Sequence, residues 1–121
     1  MARKHHDLIA WQQAIALVKN VYTLSGRFPQ SEVYGLTSQM RRAAVSVPAN
    51  IAEGVGRSGI KDRVQFFVIA RGSLTELDTY IVLAKELGYA SDTSEIEGIV
   101  DRVFALIGGL IKTERKKGTA A

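Results

Sequence analysis

The sequence predicts an all-α fold, an up-down-up-down antiparallel four-helix bundle that forms one domain over residues 1–121. Apolar residues recur at spacings of three and four in four separate stretches, and no stretch alternates apolar with polar residues as a strand does. The connections between the stretches are short, which places consecutive helices antiparallel to one another. We expect an ordered core over about 7–112, with frayed, basic ends.

Composition sets the class of protein. The chain has 121 residues, 46% of them hydrophobic and 23% charged, enough for a single core. It has no cysteine, which excludes disulfides and thiolate metal sites and fits the cytoplasm. No apolar run reaches the roughly 20 residues that cross a bilayer, and the start does not resemble a signal peptide. We therefore predict a cytoplasmic protein with no membrane partner.

The first helix is predicted to begin after an N-cap at Asp7 and to end near Ser25. Its main apolar face consists of Leu8, Trp11, Ile15, Val18 and Tyr22, widened by Ala14 and Val21. Pro29 disfavours helix at Phe28, so a turn follows there. We expect the Phe28 ring to cover one end of the core.

The second helix is predicted to begin at Ser31 or a neighbour and to end in the glycine-rich turn 54–59. Its core stripe consists of Leu36, Met40, Ala43, Val47, Ile51 and Gly54. Pro48 lies in the middle, where it removes one helical hydrogen bond. A break into two short helices is the alternative, but the unbroken stripe favours one bent helix.

The opposite side of the second helix is unusually small and apolar for a solvent face. A monomeric bundle places charged residues there. Two apolar faces on one helix indicate two partners, of which one is a second subunit. We predict an oligomer interface formed by Arg41, Val45, Ala49 and Ala52.

The third helix is predicted from about Gly59 to Leu87, and the fourth from a capping box of Asp92 and Glu95 to about Lys112. The third carries a broad apolar arc of Phe66, Phe67, Ala70, Leu74, Leu77, Tyr80, Ile81 and Ala84. The fourth carries Ile96, Ile99, Val103, Leu106 and Leu110, with Val100 and Ile107 beside them. Pairing the second and third helices across a turn near residue 57 places Gln39 level with Glu76.

Polar side chains line the second helix and one position of the third. This predicted network consists of Gln39, Arg42, Ser46, Asn50, Glu53 and Glu76. One interpretation is structural: a buried network in which Arg42 pairs with Glu76 and Asn50 satisfies backbone groups. The other is that Arg41 and Arg42 bind phosphates.

The sequence contains no pattern typical of a catalytic or metal site. Both histidines are at positions 5 and 6, so neither a Glu-x-x-His metal pair nor an Arg–His ribonuclease pair is present. The turn 54–59 lacks the phosphate-binding loop pattern and follows a helix instead of a strand. We predict no catalytic residue, no metal and no cofactor.

Positive charge is concentrated in three places. The formal net charge is +4 and the isoelectric point is about 9.6, which is compatible with a polyanionic partner. Arg3 and Lys4 begin the chain. The predicted nucleic-acid-binding residues are Arg57, Lys61 and Arg63 around the turn, and Lys112, Arg115, Lys116 and Lys117 near the end.

Several motifs resemble one family. Residues 39–54, QMRRAAVSVPANIAEG, resemble the signature helix of the four-helix-bundle proteins of the 23S ribosomal RNA intervening-sequence family. The resemblance covers about 7–112 and extends to Asp7-Leu8 with Trp11, Phe28-Pro29 with Glu32, Gly35-Leu36-Thr37, Phe66 with Ala70, residues 72–77, and Leu87-Gly88-Tyr89. It implies a ring-forming pentamer without established catalytic residues. The family is also similar to accessory proteins of diversity-generating retroelements, which bind nucleic acid and a reverse transcriptase.

The predicted function is therefore that of a non-enzymatic, oligomeric helical-bundle adaptor. Its expected partners are itself, RNA or DNA, and a protein such as a reverse transcriptase. The alternative is a purely structural or protein-binding module that has no nucleic-acid role and whose charge serves solubility.

Overall fold

The computed structural model describes residues 3–120 and confirms the all-α bundle. The four helices are α1 (Ile9–Ser25), α2 (Leu36–Gly56), α3 (Ile60–Glu86) and α4 (Ser94–Ala120). A short 3-10 helix, Lys4–Asp7, precedes α1, and a second, Gln30–Glu32, lies between α1 and α2. No strand occurs in the described range.

The four helices enclose one hydrophobic core. α1 packs on α2 and α4, and α3 packs on α2 and α4, so the contacts close a ring of four helices. The bulkiest side chains at the centre of the core are Leu17, Met40, Ile51, Phe67, Leu74, Leu77, Ile81 and Ile107.

The buried face of α1 differs from the predicted one. It consists of Ala10, Ala14, Leu17 and Val21, whereas Ile15 and Tyr22 are exposed. The small alanines allow α1 to approach its neighbours closely, so the larger residues Leu8, Trp11 and Val18 pack along the edge of the core. The predicted N-cap was also wrong: Asp7 ends the 3-10 helix, and Leu8 caps α1 without a side-chain hydrogen bond.

α2 is a single helix with Pro48 buried inside it, as the unbroken stripe predicts. It begins at Leu36 and not near Ser31, which lies in the second 3-10 helix. The Glu32 carboxylate explains this start, because its Oε1 accepts a hydrogen bond from the backbone N–H of Leu36 at 3.2 Å.

α2 and α3 approach each other so closely at Gly54 that only glycine fits there. A Cβ on Gly54 would lie 2.6 Å from Cε1 of Phe67 and 3.2 Å from the carbonyl oxygen of Arg63. Further along, Ser46 Oγ and Ser73 Oγ share a hydrogen bond of 2.8 Å. These contacts show that the two helices run past each other in opposite directions.

The register of α2 on α3 differs from the predicted one by more than a helical turn. Counting along the two antiparallel helices from the Ser46–Ser73 hydrogen bond places Gln39 level with Tyr80 and Ala43 level with Glu76, and all four line one groove. The prediction placed Gln39 level with Glu76. The reason is the link between the helices: Arg57 and Gly59 are extended, and they carry the chain further before α3 begins.

Both ends of α4 differ from the predicted ones. At its start, the Asp92 carboxylate accepts hydrogen bonds from the N–H (3.1 Å) and hydroxyl (2.7 Å) of Ser94, and Glu95 takes no part. At its end, α4 continues past Lys112 to Ala120. Glu114 explains the extension, because its side chain is buried against the bundle, with Oε1 3.0 Å from Nη2 of Arg63. The predicted fraying of Met1, Ala2 and Ala121 lies outside the described residues.

Phe28 covers one end of the core, as predicted. Its buried ring lies 5.5 Å from the ring of Tyr89, measured between centroids. The Tyr89 hydroxyl donates a hydrogen bond of 2.8 Å to Oε2 of Glu32, which ties the α1–α2 connection to the α3–α4 turn. This bond, together with the N–H of Leu36, lowers the pKa of Glu32 from its ordinary value of 4.5.

The lowered pKa predicts an acid-dependent loss of stability. The contribution of Glu32 is fully present above about pH 4.5, the unfolded-state pKa, and is lost as pH falls through the lower folded-state pKa. Replacing Tyr89 by Phe removes the main cause of the shift, so Tyr89→Phe should lose less stability than wild type between pH 5 and pH 3. Urea unfolding at several pH values measures this difference. Tyr34→Phe is the matched control, since Tyr34 is 97% exposed. Identical pH profiles for Tyr89→Phe and wild type would contradict the prediction.

Candidate functional site

The three basic groups predicted from the sequence meet at one end of the bundle. A Cβ on Gly118 would lie 3.9 Å from Cγ2 of Ile60, so the end of α4 adjoins the start of α3. Lys4, Val55 and Arg63 line one pocket of about 220 Å³. The N-terminal 3-10 helix and the end of α2 therefore lie at this end of the bundle as well. We call this region the basic end; its cations are Lys4, Arg57, Lys61, Arg63, Lys112, Arg115, Lys116 and Lys117.

Three of the seven predicted nucleic-acid-binding residues form ion pairs within the chain. Nη2 of Arg63 and Nζ of Lys117 lie 3.0 Å and 3.2 Å from Oε1 of Glu114. Arg57 pairs with Glu53 at 3.2 Å, and its guanidinium lies 4.7 Å from the centroid of the Phe66 ring. Arg63 also donates to the carbonyl oxygen of Arg57 at 3.3 Å, so it holds the α2–α3 link in place.

The other four predicted residues are exposed and form no ion pair with any described acid. Lys61 lies at the start of α3. Lys112, Arg115 and Lys116 line a groove of about 350 Å³ between α3 and α4. Arg71 lines the same groove from α3. No pattern in the sequence singles out Arg71, because only the packing of α3 on α4 places it beside the C-terminal cations.

Two of the six predicted members of the polar network, Ser46 and Asn50, form a hydrogen-bonded cluster, which Ser73 completes. The Asn50 amide donates to the carbonyl oxygen (2.8 Å) and the hydroxyl (2.9 Å) of Ser46, which in turn bonds Ser73. Ser46 and Asn50 are half-buried. Ser73 was not among the predicted members of the network, because the predicted register of α2 on α3 does not bring it to Ser46.

The four remaining members of the network lie at the surface. Gln39, Arg42 and Glu76 are exposed and line an open groove of about 410 Å³ between α2 and α3, and exposed Glu53 pairs with Arg57. The expected buried pair of Arg42 with Glu76 does not form in the described chain. The register explains this, since Glu76 lies beside Ala43 on the outer side of the helix pair.

The outer face of α2 consists of small, uncharged residues except at exposed Arg42, which lies on the same stripe between Ser38 and Val45. Residues 38, 45, 49, 52 and 56 follow one another at heptad-compatible spacings, and we call them the α2 seam: Ser38, Val45, Ala49, Ala52 and Gly56. Val45 is 44% exposed. Arg41, predicted as part of this interface, contacts α1 of its own chain. Its Nε donates a hydrogen bond to Ser25 Oγ at 2.8 Å, and its guanidinium lies 4.4 Å from the Tyr22 ring centroid.

The outer face of α3 has the same character. It presents residues at spacings of four and three, which we call the α3 seam: Val68, Gly72, Thr75, Thr79 and Val82. The hydroxyls of Thr75 and Thr79 donate to carbonyl oxygens one turn back in their own helix, at 3.0 Å and 3.1 Å, so hydrogen bonding is satisfied locally. The apolar arc predicted on α3 does not include these seam residues. Most members of that arc are buried in the core of the same chain.

The predicted absence of a metal site can be compared with the described part of the chain. It holds no group of three or more His, Cys, Asp or Glu side chains that could bind a metal ion. His6 Nδ1 accepts the backbone N–H of Arg3 at 3.0 Å, and both histidine rings pack on Trp11. None of the described helices is long and apolar enough to cross a membrane.

Comparison with known proteins identifies a family and shows solved structures of similar fold. A family model described as 23S rRNA-intervening sequence protein matches residues 6–109. A crystal structure from Bacteroides thetaiotaomicron, described as a protein with unknown function from the S23 ribosomal protein family, is similar with a TM-score of 0.79. Its sequence is 17% identical, and the match covers 86% of this chain and 99% of that one. No curated protein matches the chain.

The Ser46–Asn50–Ser73 cluster predicts a measurable contribution to stability. Asn50→Ala removes two hydrogen bonds to Ser46 within α2, one of them to the hydroxyl that bonds Ser73 of α3, so it should destabilise the fold by about 1 kcal/mol. Asn20→Ala is the matched control, because the Asn20 amide bonds only the carbonyl oxygen of Ala16 in its own helix. Thermal unfolding of both variants measures the difference. Equal unfolding temperatures for the two variants would count against the cluster.

Proposed function

The chain belongs to the 23S rRNA-intervening sequence protein family, and we propose that it is a non-enzymatic, homo-oligomeric adaptor of the bacterial cytoplasm whose further partner is nucleic acid. The observation that carries the proposal is the pair of exposed seams on α2 and α3. Neither comparison indicates an enzyme family, which supports the non-enzymatic part.

The two seams support self-association. Soluble monomers rarely expose contiguous apolar patches beyond a few hundred Å². The seams have the spacing by which helices pack in coiled coils, and their small residues allow a second helix to approach closely. A cleft of about 730 Å³ beside Val45, lined by Tyr22, Phe28 and Val33, offers space for a partner side chain. The bundle therefore gains buried apolar surface by packing against another subunit.

A second copy of the same chain is the proposed partner, because its α3 seam matches the α2 seam in helical spacing and in small, uncharged residues. Charges of both signs flank each seam, Arg42 and Glu53 on α2 and Glu76, Lys85 and Glu86 on α3. In the proposed contact the α2 seam of one copy packs against the α3 seam of the next. Such a head-to-tail contact closes into a ring when the rotation between copies permits it. The family resemblance implies five subunits.

Nucleic acid is the proposed further partner because the basic end contains cations without an acidic partner. A cyclic ring repeats this end once per subunit at the same level, which raises the local positive potential. A protein partner such as a reverse transcriptase is compatible with the same adaptor role. The alternative is a protein-binding or structural module without a nucleic-acid role, and the two predictions below separate these functions.

Val45→Glu tests the oligomer. The new carboxylate lies in the middle of the α2 seam, which faces away from the core, so the variant should fold but sediment with a smaller mass than wild type. Ala105→Glu is the matched control, because Ala105 is an exposed position on α4. Circular dichroism checks that both variants fold. A Val45→Glu protein that keeps the wild-type mass would refute the proposed interface.

Binding of a labelled 20-nucleotide single-stranded RNA tests the further partner. Wild type should bind it at 50 mM salt, and the affinity should fall steeply at 200 mM, because neutralised phosphates release counterions. Fluorescence anisotropy measures both affinities, and a duplex DNA of the same length is tested in parallel. Absence of binding to both probes at 50 mM salt would favour the alternative function.

A further inference from the structure

We propose that the groove between α3 and α4 is the site where the sugar–phosphate backbone of a nucleic-acid strand binds. This inference rests on the proposed nucleic-acid partner and assigns it a place on the molecule. Arg71, Lys112, Arg115 and Lys116 line the groove, with Gly108 and Ile111 between them. We call it the α3–α4 groove.

The groove combines cations from two helices. Lys112 and Lys116 are four residues apart, which places them about 6 Å apart along the axis of α4, with Arg115 beside them. Arg71 supplies positive charge from the opposite wall. At 0.1 M salt the Debye length is about 10 Å, so charges this close act together on an anion.

The cations of the α3–α4 groove have no acidic partner, unlike Arg57, Arg63 and Lys117 of the basic end. Glu114 binds Arg63 and Lys117, and Glu53 binds Arg57, whereas no described acid lies within 4.0 Å of a groove cation. The groove lining itself contains no acidic residue. Clustered like charges repel one another, and a bound anion relieves that repulsion.

Helix-end electrostatics do not account for this cluster. Cations in the last turn of a helix stabilise it by interacting with the helix dipole, an effect that fades beyond that turn. Lys117 lies in the last turn of α4, but Lys112 lies two turns before the end. Arg71 lies in the interior of α3. Their common feature is the groove and not a helix terminus.

The shape of the groove favours a nucleic-acid strand over an acidic protein. Ile111 is buried, and a Cβ on Gly108 would meet nothing within 4 Å, so the floor is shallow and open. The open space above Gly108 leaves room for a continuous strand along the groove. Arg71 and Arg115 have planar guanidinium groups that can bind a phosphate through two hydrogen bonds. Contacts of this kind position the backbone without reading its sequence.

The experiment compares two triple variants with equal loss of charge. Arg71→Gln/Lys112→Gln/Lys116→Gln removes three groove cations, and the control is Lys19→Gln/Arg27→Gln/Arg102→Gln, three exposed cations outside the groove. The probe is the labelled 20-nucleotide RNA, measured by anisotropy from 50 to 200 mM salt. The groove variant should bind at least 10-fold more weakly, and its salt slope should fall by about 2, or about 0.7 per lost phosphate contact on a single strand. The control should stay within about threefold of wild type.

Two neighbouring lysines give a finer control. Lys116→Gln should weaken RNA binding several-fold, whereas Lys117→Gln should leave it within about twofold, because only Lys116 lies in the groove. Circular dichroism and sedimentation confirm that every variant folds and assembles as wild type does.

The outcomes separate the two proposals. If wild type binds RNA and the groove triple variant binds as the control does, the groove assignment is wrong and the proposed function stands. If wild type binds neither RNA nor duplex DNA, the proposed nucleic-acid partner fails first. If polyglutamate competes with RNA at equal charge concentration on wild type, the groove takes acidic polypeptides, and the nucleic-acid assignment is overturned.

Discussion

The close contact of α2 with α3 is the constraint on which the other features depend. Gly54 lets the Phe67 ring reach the backbone of α2, and the hydroxyls of Ser46 and Ser73 hold the same helix pair further along. A side chain at Gly54 has no space unless Phe67 moves. This contact sets the register of the two helices, and through it the side of the pair on which each remaining residue lies.

That register separates structural charges from free ones. It turns Arg63 towards α4, where the buried carboxylate of Glu114 binds it and Lys117. The pair fixes the last turns of α4 on the bundle and leaves Lys112, Arg115 and Lys116 along the α3–α4 groove. The same packing directs Val45 and Val82 outwards, on two seams that a single bundle leaves in water. The residues that stabilise the bundle are thus different from those to which we assign the proposed function.

Sequence reasoning was reliable where local periodicity decides the outcome. It found four helices, the single helix through Pro48 and the burial of Phe28. It failed where the outcome depends on contacts between helices. The alanines of α1 form its buried face because they allow close approach, although they are less hydrophobic than Ile15 and Tyr22. The groove role of Arg71 follows only from the packing of α3 on α4, which no spacing within one helix reveals.

The central claim is that a single bundle is incomplete and that copies of the chain cover the α2 and α3 seams for one another. Native mass spectrometry of the wild-type chain at micromolar concentration tests it most directly. We expect one dominant species at a fixed multiple of the 13.2 kDa chain mass, unchanged by modest dilution. A dominant species at 13.2 kDa would contradict it.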